Sequence, residues 1–246
     1  MKRLFDIFFS FFALILTSPL LLVALFAVYR HDRRSPFFLS ERVGKNALPF
    51  KMIKIRTMVV GAHANQVDST KKDDPRITRV GHLIRRFKVD ELTQFLNVLM
   101  GDLSVVGPRP NVQREIKIYT HEEKKLLTIK PGVTDLSSVV FFDLANILEG
   151  YEDANIAYNQ LVRPWKSRLG LLYVEHQNLF LDLKVIWLTV LSFVNRPLAL
   201  RGVQSLVKKL GGSAELVAVS GRSAPLLPAK PPGATEVVTD RNVEMI

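Results

Sequence analysis

The first thirty residues, MKRLFDIFFSFFALILTSPLLLVALFAVYR, constrain this chain more than any other stretch. From Leu4 to Tyr29 the run is apolar apart from Asp6 and a few hydroxyls. About 26 such residues are long enough for one helix across a hydrocarbon core of roughly 30 Å. A cleaved leader fits less well, because the run exceeds a typical leader core and no small-x-small site precedes Arg30. Ser18-Pro19 lies near its middle, where proline removes one backbone donor and crowds the carbonyl four residues back. Ser18 can bond a freed carbonyl and let a bend persist in lipid. Each half would be about 15–20 Å long, too short to cross alone. Cations flank both ends, Lys2 and Arg3 before and Arg30, Arg33 and Arg34 after. The positive-inside rule therefore gives a simple crossing no orientation. These features favour a re-entrant helix broken at Ser18-Pro19, both ends cytoplasmic, over a kinked span.

Charge is the second constraint. The net charge is +11, and Arg42 to Lys88 holds twelve Lys/Arg against Asp68, Asp73 and Asp74. Such a field attracts polyanions: nucleic acid, an anionic leaflet or phosphorylated small molecules. No nucleic-acid recognition motif or aromatic stacking pattern accompanies it, which argues against nucleic acid as a partner. Absence of cysteine excludes disulfides, thiol nucleophiles and cysteine-ligated zinc. His31, His63, His82, His121 and His176 are scattered without metal-ligand spacing.

The remaining pattern predicts an α+β, predominantly helical chain. FFLSERV and PFKMIKIRTM flank GKNA and read as a β-hairpin. Within it, period two puts Lys54 and Arg56 on one strand face. Gly61 to Pro75 reads as a polar mobile loop, and Val80 to Lys88 as a short basic helix. Leu92, Phe95, Leu96 and Leu99 follow i, i+3, i+4, i+7, with Asp90 at the helix start and Gly101 as its stop. REIKIYTHEEKKLLTIKPG is a further helix candidate. AYNQLVRPWKSRLGLLYVEH predicts a helix interrupted at Arg163-Pro164. LFLDLKVIWLTVLSFV is either a core helix or an interfacial one anchored by Trp187. Three regions result: a membrane anchor over 1–34, a catalytic domain over 35–202 with amphipathic interfacial helices, and a flexible tail over 203–246 rich in Gly, Ala, Pro and Ser.

The stretch KVDELTQFLNVLMGDLSVVGPRP carries the chemistry. An acidic residue at a helix start is ordinarily a cap or a dipole partner. A carboxylate beside a basic cluster is also available as a nucleophile or Mg²⁺ ligand. In GPRP the prolines restrict the backbone about Arg109, presenting a guanidinium suited to phosphate oxygens.

Taken together, KRLFDIFFS…SP, ERVGKN, FKMIKIRTM, DDPRITRVGHLIRR, VDELTQFLNVLMGDLSVVGPRP, KPGVT and FLDLKVI resemble the bacterial sugar transferases, in their small monotopic phosphoglycosyl transferase form. The resemblance covers roughly residues 2 to 190. It implies a re-entrant helix broken at Ser18-Pro19, on the cytoplasmic face of the inner membrane. It also implies transfer of a phosphosugar from a UDP-sugar to undecaprenyl phosphate with release of UMP. Asp90 would be the nucleophile of a covalent phosphosugar intermediate, and Glu91 would help position Mg²⁺ or handle protons. Lys54 and Arg109 match the family's substrate-binding cations, with Arg56, Arg85 and Arg86 as weaker matches. The expected partners are the UDP-sugar, polyprenyl phosphate and anionic membrane lipids, with a homo-oligomer left open. Where many members carry Gly-Ile-Thr-Gly, this chain has Gly132-Val133-Thr134-Asp135, which leaves the sugar unassigned. The expected form is the minimal catalytic one. The competing reading is a non-enzymatic basic protein of the membrane surface, which explains the charge and the N-terminal helix but not Asp-Glu with Gly-Pro-Arg-Pro.

Overall fold

The computed structural model describes residues 1–62 and 74–240, so most of the predicted Gly61–Pro75 loop lies outside the described residues. One long helix, α1 (Lys2–Asp32), leads into the predicted hairpin of β1 (Phe37–Val43) and β2 (Pro49–Ile55). Its antiparallel register runs from Phe37 opposite Ile55 to Val43 opposite Pro49. The basic helix α2 (Arg79–Arg86) follows, then α3 (Val89–Leu92) and α4 (Gln94–Met100). Gly101, at φ 99°, ends α4 in the left-handed region, where the missing Cβ removes the penalty.

A second sheet was not foreseen. β3 (Ser104–Val106) and β4 (Gly132–Thr134) pair in parallel, Ser104 opposite Gly132 and Val106 opposite Thr134. Between them the expected single helix is instead α5 (Gln113–Lys117) and a separate 3₁₀ segment, Glu123–Thr128. The short helices α6 (Leu136–Val140) and α7 (Leu144–Ile147) lead to α8 (Ala154–Leu161) and α9 (Arg163–His176), with Pro164 in the first turn of α9 as the break predicts. α10 (Leu179–Val194), α11 (Arg196–Lys209) and α12 (Ala214–Ser220) complete the bundle. Val98, Val106, Val140, Leu169, Val185, Val203 and Val207 meet in its core.

The chain from 203 onward is thus no flexible tail as far as residue 240. Val203, Val207 and Leu216 belong to the core. Farther on, Ala229 N donates to Gln160 O, Gln160 Nε2 donates to Val238 O, and Thr120 Oγ1 donates to Pro232 O. Composition misled here, because the apolar spacing within α11 and α12 outweighs their glycines and alanines.

α1 runs through Ser18-Pro19 as a helix, where the sequence pointed to a break. Pro19 cannot donate to the carbonyl of Ile15, and Ser18 Oγ donates to that carbonyl instead, at 2.7 Å. Ser18→Ala should therefore cost about 0.5–1.5 kcal/mol of stability, and little or nothing in a Pro19→Ala background. Thermal unfolding of the four proteins of this double-mutant cycle in detergent measures the difference; equal costs in both backgrounds would refute the substitution of one donor for the other.

At its start α1 is polar toward the protein and apolar toward the outside. Asp6 and Ser10 are 2% and 0% exposed, whereas Phe8, Phe12 and Leu16 are more than half exposed. Asp6 accepts from Ser104 Oγ and Val105 N. Lys2 donates to Asp182 at 2.6 Å and to Val106 O, and Arg3 donates to the last carbonyls of α4, Val98 and Leu99. At the other end Leu21, Ala24 and Val28 pack with Ile55, Ile84 and Val89. Both ends are therefore tied to the domain. α1 is also long and apolar enough, by length and composition, to cross a membrane.

α10 bears out the core reading on one face and leaves the other exposed. Leu181, Val185 and Leu188 are buried, while Leu183, Trp187, Val190 and Val194 form an exposed apolar stripe.

Candidate active site

The site is built where α3 meets the hairpin and the β3–β4 pair. The acidic pair does not cap its helix as expected. Lys88 is the N-cap residue, at φ 51° in the left-handed region, and Asp90 and Glu91 occupy the first turn. There the helix dipole favours their charge. Adjacent residues on a helix diverge by about 100°, so the two carboxylates face different surroundings.

Glu91 faces Arg109. The guanidinium donates to both of its oxygens, Nη2 to Oε1 at 2.5 Å and Nη1 to Oε2 at 3.1 Å, and also to Val133 O at 2.7 Å. Lys54 Nζ from β2 lies 3.6 Å from the same carboxylate. The position of Arg109 comes from the β3–β4 pair. Gly107 N donates to Thr134 O, and Gly132 N donates to Pro108 O. A Cβ on Gly132 would collide with the Gly107 backbone, so the glycines of the GPRP and KPGVT stretches are needed for this close approach. The two prolines then fix the backbone on either side of the arginine.

Asp90 faces a polar cleft of about 560 Å³ lined in part by Arg42, Lys54, Arg76 and Arg85. The residue is 9% exposed. Thr93 Oγ1 donates to its backbone carbonyl, and among the described residues no side chain donates to its carboxylate. Burial pushes the Asp90 carboxyl above the ordinary aspartate range; Lys54 and Arg85 oppose this, and the Glu91 charge adds to it. Burial also works against Glu91, but Arg109, Lys54 and Lys88 outweigh it and hold that carboxyl well below the usual range. One carboxylate is thus locked in ion pairs, and the other has no side-chain donor among the described residues.

The remaining sequence candidates separate. Arg85 lines the cleft and its Nε donates to Thr57 Oγ1 at 2.8 Å. Arg56 also borders the cleft, but its guanidinium makes a bidentate pair with Asp32 at 2.6 and 2.7 Å and donates to Ser35 O. Its visible role is to tie the end of α1 to β2. Arg86 stacks on Phe87, with 5.7 Å from its guanidinium carbon to the ring centroid. Ser18 and Pro19 belong to α1 and not to this site. Asp135, the departure from the Gly-Ile-Thr-Gly pattern, N-caps α6 by accepting from Ser138 N at 2.7 Å. Asp-x-x-Ser just before an apolar run was the available signal for that cap.

Among the described residues no cluster of three or more His, Cys, Asp or Glu side chains forms a metal cage. Two neighbouring carboxylates nevertheless suit magnesium, a hard cation whose coordination substrate phosphates commonly complete. Asp90 is the freely available donor, since both Glu91 oxygens already accept from Arg109.

Sequence comparison gives this geometry its family. The model of the bacterial sugar transferases matches residues 1–196. The chain is 37% identical over 191 residues to the uncharacterized sugar transferase EpsL of Bacillus subtilis (strain 168), covering 77% of this chain and 85% of that one. It is 35% identical over 199 residues to the UDP-glucose:undecaprenyl-phosphate glucose-1-phosphate transferase of Klebsiella pneumoniae, covering 79% of this chain and 40% of that longer one. It is 32% identical over 204 residues to the exopolysaccharide production protein ExoY of Sinorhizobium fredii (strain NBRC 101917 / NGR234), covering 77% of this chain and 83% of that one. The chain is an enzyme of the bacterial sugar transferase family.

Proposed function

We propose that this enzyme transfers a sugar 1-phosphate from a UDP-sugar to undecaprenyl phosphate, through a covalent intermediate on Asp90. The observation that carries the reading is the Asp90 carboxylate, without a side-chain donor among the described residues, facing a basic cleft large enough for a nucleotide-sugar. The Asp90 carboxylate oxygen attacks the phosphorus that bears the sugar, and the bond to the bridging oxygen breaks, releasing UMP. A phosphate oxygen of the lipid then attacks the aspartyl phosphosugar, restoring the carboxylate and forming a polyprenyl diphosphate sugar. Both steps bring anions together, so neighbouring cations must hold that charge. Lys54, Arg85 and Arg42 border the cleft and supply it. Glu91, fixed by Arg109, keeps Lys54 in place. Magnesium held by Asp90 and the substrate phosphates would neutralise diphosphate charge and polarise the phosphorus, while Glu91 stays engaged with Arg109.

The inverted polarity of α1 and the apolar stripe of α10 support a seat in one leaflet of the inner membrane, catalytic domain toward the cytoplasm. With both ends of α1 tied to the same domain, a re-entrant course suits this chain better than a crossing.

The test uses purified protein in nanodiscs with Mg²⁺, undecaprenyl phosphate and a panel of UDP-sugars. Lipid-dependent release of UMP supports the reading and names the sugar; release of UDP would mean glycosyl transfer and overturn it. The pH profile offers a second check. A raised Asp90 pKa means the reactive carboxylate is lost while an ordinary aspartate, at about 3.9, is still ionised. The acid limb of kcat/KM should accordingly lie above that value. In Glu91→Gln one like charge is removed, so the limb should move to lower pH; an upward move would contradict the assigned pair.

A further inference from the structure

On the other side of the dyad lies a second opening that differs in character from the basic cleft. It is a groove of about 200 Å³ between α1, α4, α6 and α10, walled by Phe9, Phe95, Phe142, Ile186, Val190 and Phe193, with Lys88 and Glu91 at its polar end. Its lip is continuous with exposed apolar surface. Val190 and Phe193 are about half exposed, and Trp187 and Val194, farther along the same helix, are more so.

Lys88 is the unusual residue here. Its left-handed backbone is uncommon outside glycine, asparagine and aspartate. Its ammonium lies 4.2 Å from the centroid of the Phe142 ring, and that ring packs edge-on against Phe193 at 5.2 Å. Among the described residues no carboxylate or carbonyl oxygen hydrogen-bonds or ion-pairs with the Lys88 ammonium. A cation held on an aromatic wall at the inner end of an apolar groove matches one kind of molecule: a long hydrocarbon chain ending in an anion.

Resting on the reading above, we propose that this groove seats the phosphate-proximal isoprene units of the polyprenyl phosphate acceptor, with Lys88 binding its phosphate. The dyad then stands where two substrates of opposite character meet, so that a phosphate held by Lys88 can reach the phosphorus carried by Asp90. Asp90 opens to the water-soluble donor, while Glu91 and Lys88 open to the lipid. The acceptor enters along the exposed face of α10 without passing through the basic cleft.

Photocrosslinking tests the assignment without any donor or turnover. The full chain in phosphatidylcholine nanodiscs is irradiated with a polyprenyl phosphate carrying a benzophenone on an early isoprene unit, and adducts are located by peptide mass spectrometry. The phosphate-free polyprenol with the same label is the control. Adducts are expected on residues 136–142 and 179–194. Lys88→Gln should weaken capture of the phosphate about ten- to hundredfold and leave capture of the polyprenol unchanged. Lys88→Arg should retain most of the phosphate's advantage. Val190→Trp, at an exposed position that tolerates bulk, should reduce capture of both probes by filling the groove. Adducts confined to other segments, or equal capture of the phosphate by Lys88→Gln, would overturn the proposal. Because no nucleotide is present, these outcomes are separate from the UMP assay, which alone decides the catalytic reading.

Discussion

Asp90→Asn should abolish turnover, with UMP release falling by at least about 10⁴-fold, the scale of losing a covalent nucleophile. Asparagine nearly preserves the shape of the side chain while removing the charge whose burial is unfavourable in the folded protein. The variant should thus be as stable as the parent or slightly more so. That separates chemistry from folding. Intact-mass measurement after incubation with the UDP-sugar, without lipid, should show the parent heavier by one sugar phosphate and the variant unchanged. Residual turnover within tenfold of the parent would sink the assignment of Asp90 as nucleophile, as would a sugar-phosphate adduct on the variant.

The largest stability effect is expected far from the chemistry, at Arg163. Arg163 and Glu123 are 3% and 0% exposed. Glu123 accepts from Arg163 Nε at 3.0 Å, Arg163 Nη2 at 2.5 Å, Ser167 Oγ at 2.7 Å and Thr120 N at 3.1 Å. Arg163 also donates to Ile118 O and Asn159 Oδ1, so one side chain joins α8, α9 and the chain before the 3₁₀ segment. Arg163→Met leaves a buried carboxylate without its cation, which costs about 3–5 kcal/mol. For a chain of this size that lowers the melting temperature by roughly 6–20 °C. Glu123→Leu combined with Arg163→Met should recover most of the loss, because a well-packed apolar pair can replace a buried ion pair. A loss below about 1 kcal/mol in the single variant would show that water reaches the pair.

How much of this was legible follows from the range of each interaction. The hairpin, α2, the α3–α4 run, α8, α9 and α10 announce themselves through local spacing, because turn residues and apolar periods lie within one segment. The β3–β4 pair does not. Each strand has three residues, and Ser104 meets Gly132 across 28 positions, so no local period records the pairing. The predicted helix across 114–132 failed because Tyr119 and Glu123 are recruited into a buried network with Arg163, whose contacts override helix propensity. Asp90, Glu91, Lys54 and Arg109 were recognisable as residue types and as a motif, and the structure brings all four together. Their division of labour was not, since adjacency in sequence hides the turn that aims Asp90 and Glu91 at different openings. Arg56 shared a strand face with Lys54 on paper, yet Asp32, an acidic residue at the far end of α1, claims it. Lys88 carries no such signal, because a lysine before an acidic pair looks like one more surface cation.

The bonds at the start of α1 also set an order of assembly. Lys2, Arg3 and Asp6 are made well before their partners Val98, Ser104, Val106 and Asp182. At about 5–20 residues per second, Asp182 leaves the ribosome's catalytic centre roughly 10–35 s after Lys2. Until then the buried polar edge of α1 lacks its full set of partners, so α1 is synthesised long before it is locked. A chain released before residue 182 would carry a finished α1 and an unfinished seat for it. Chains released before residue 182 and the full chain should therefore differ sharply in protease resistance.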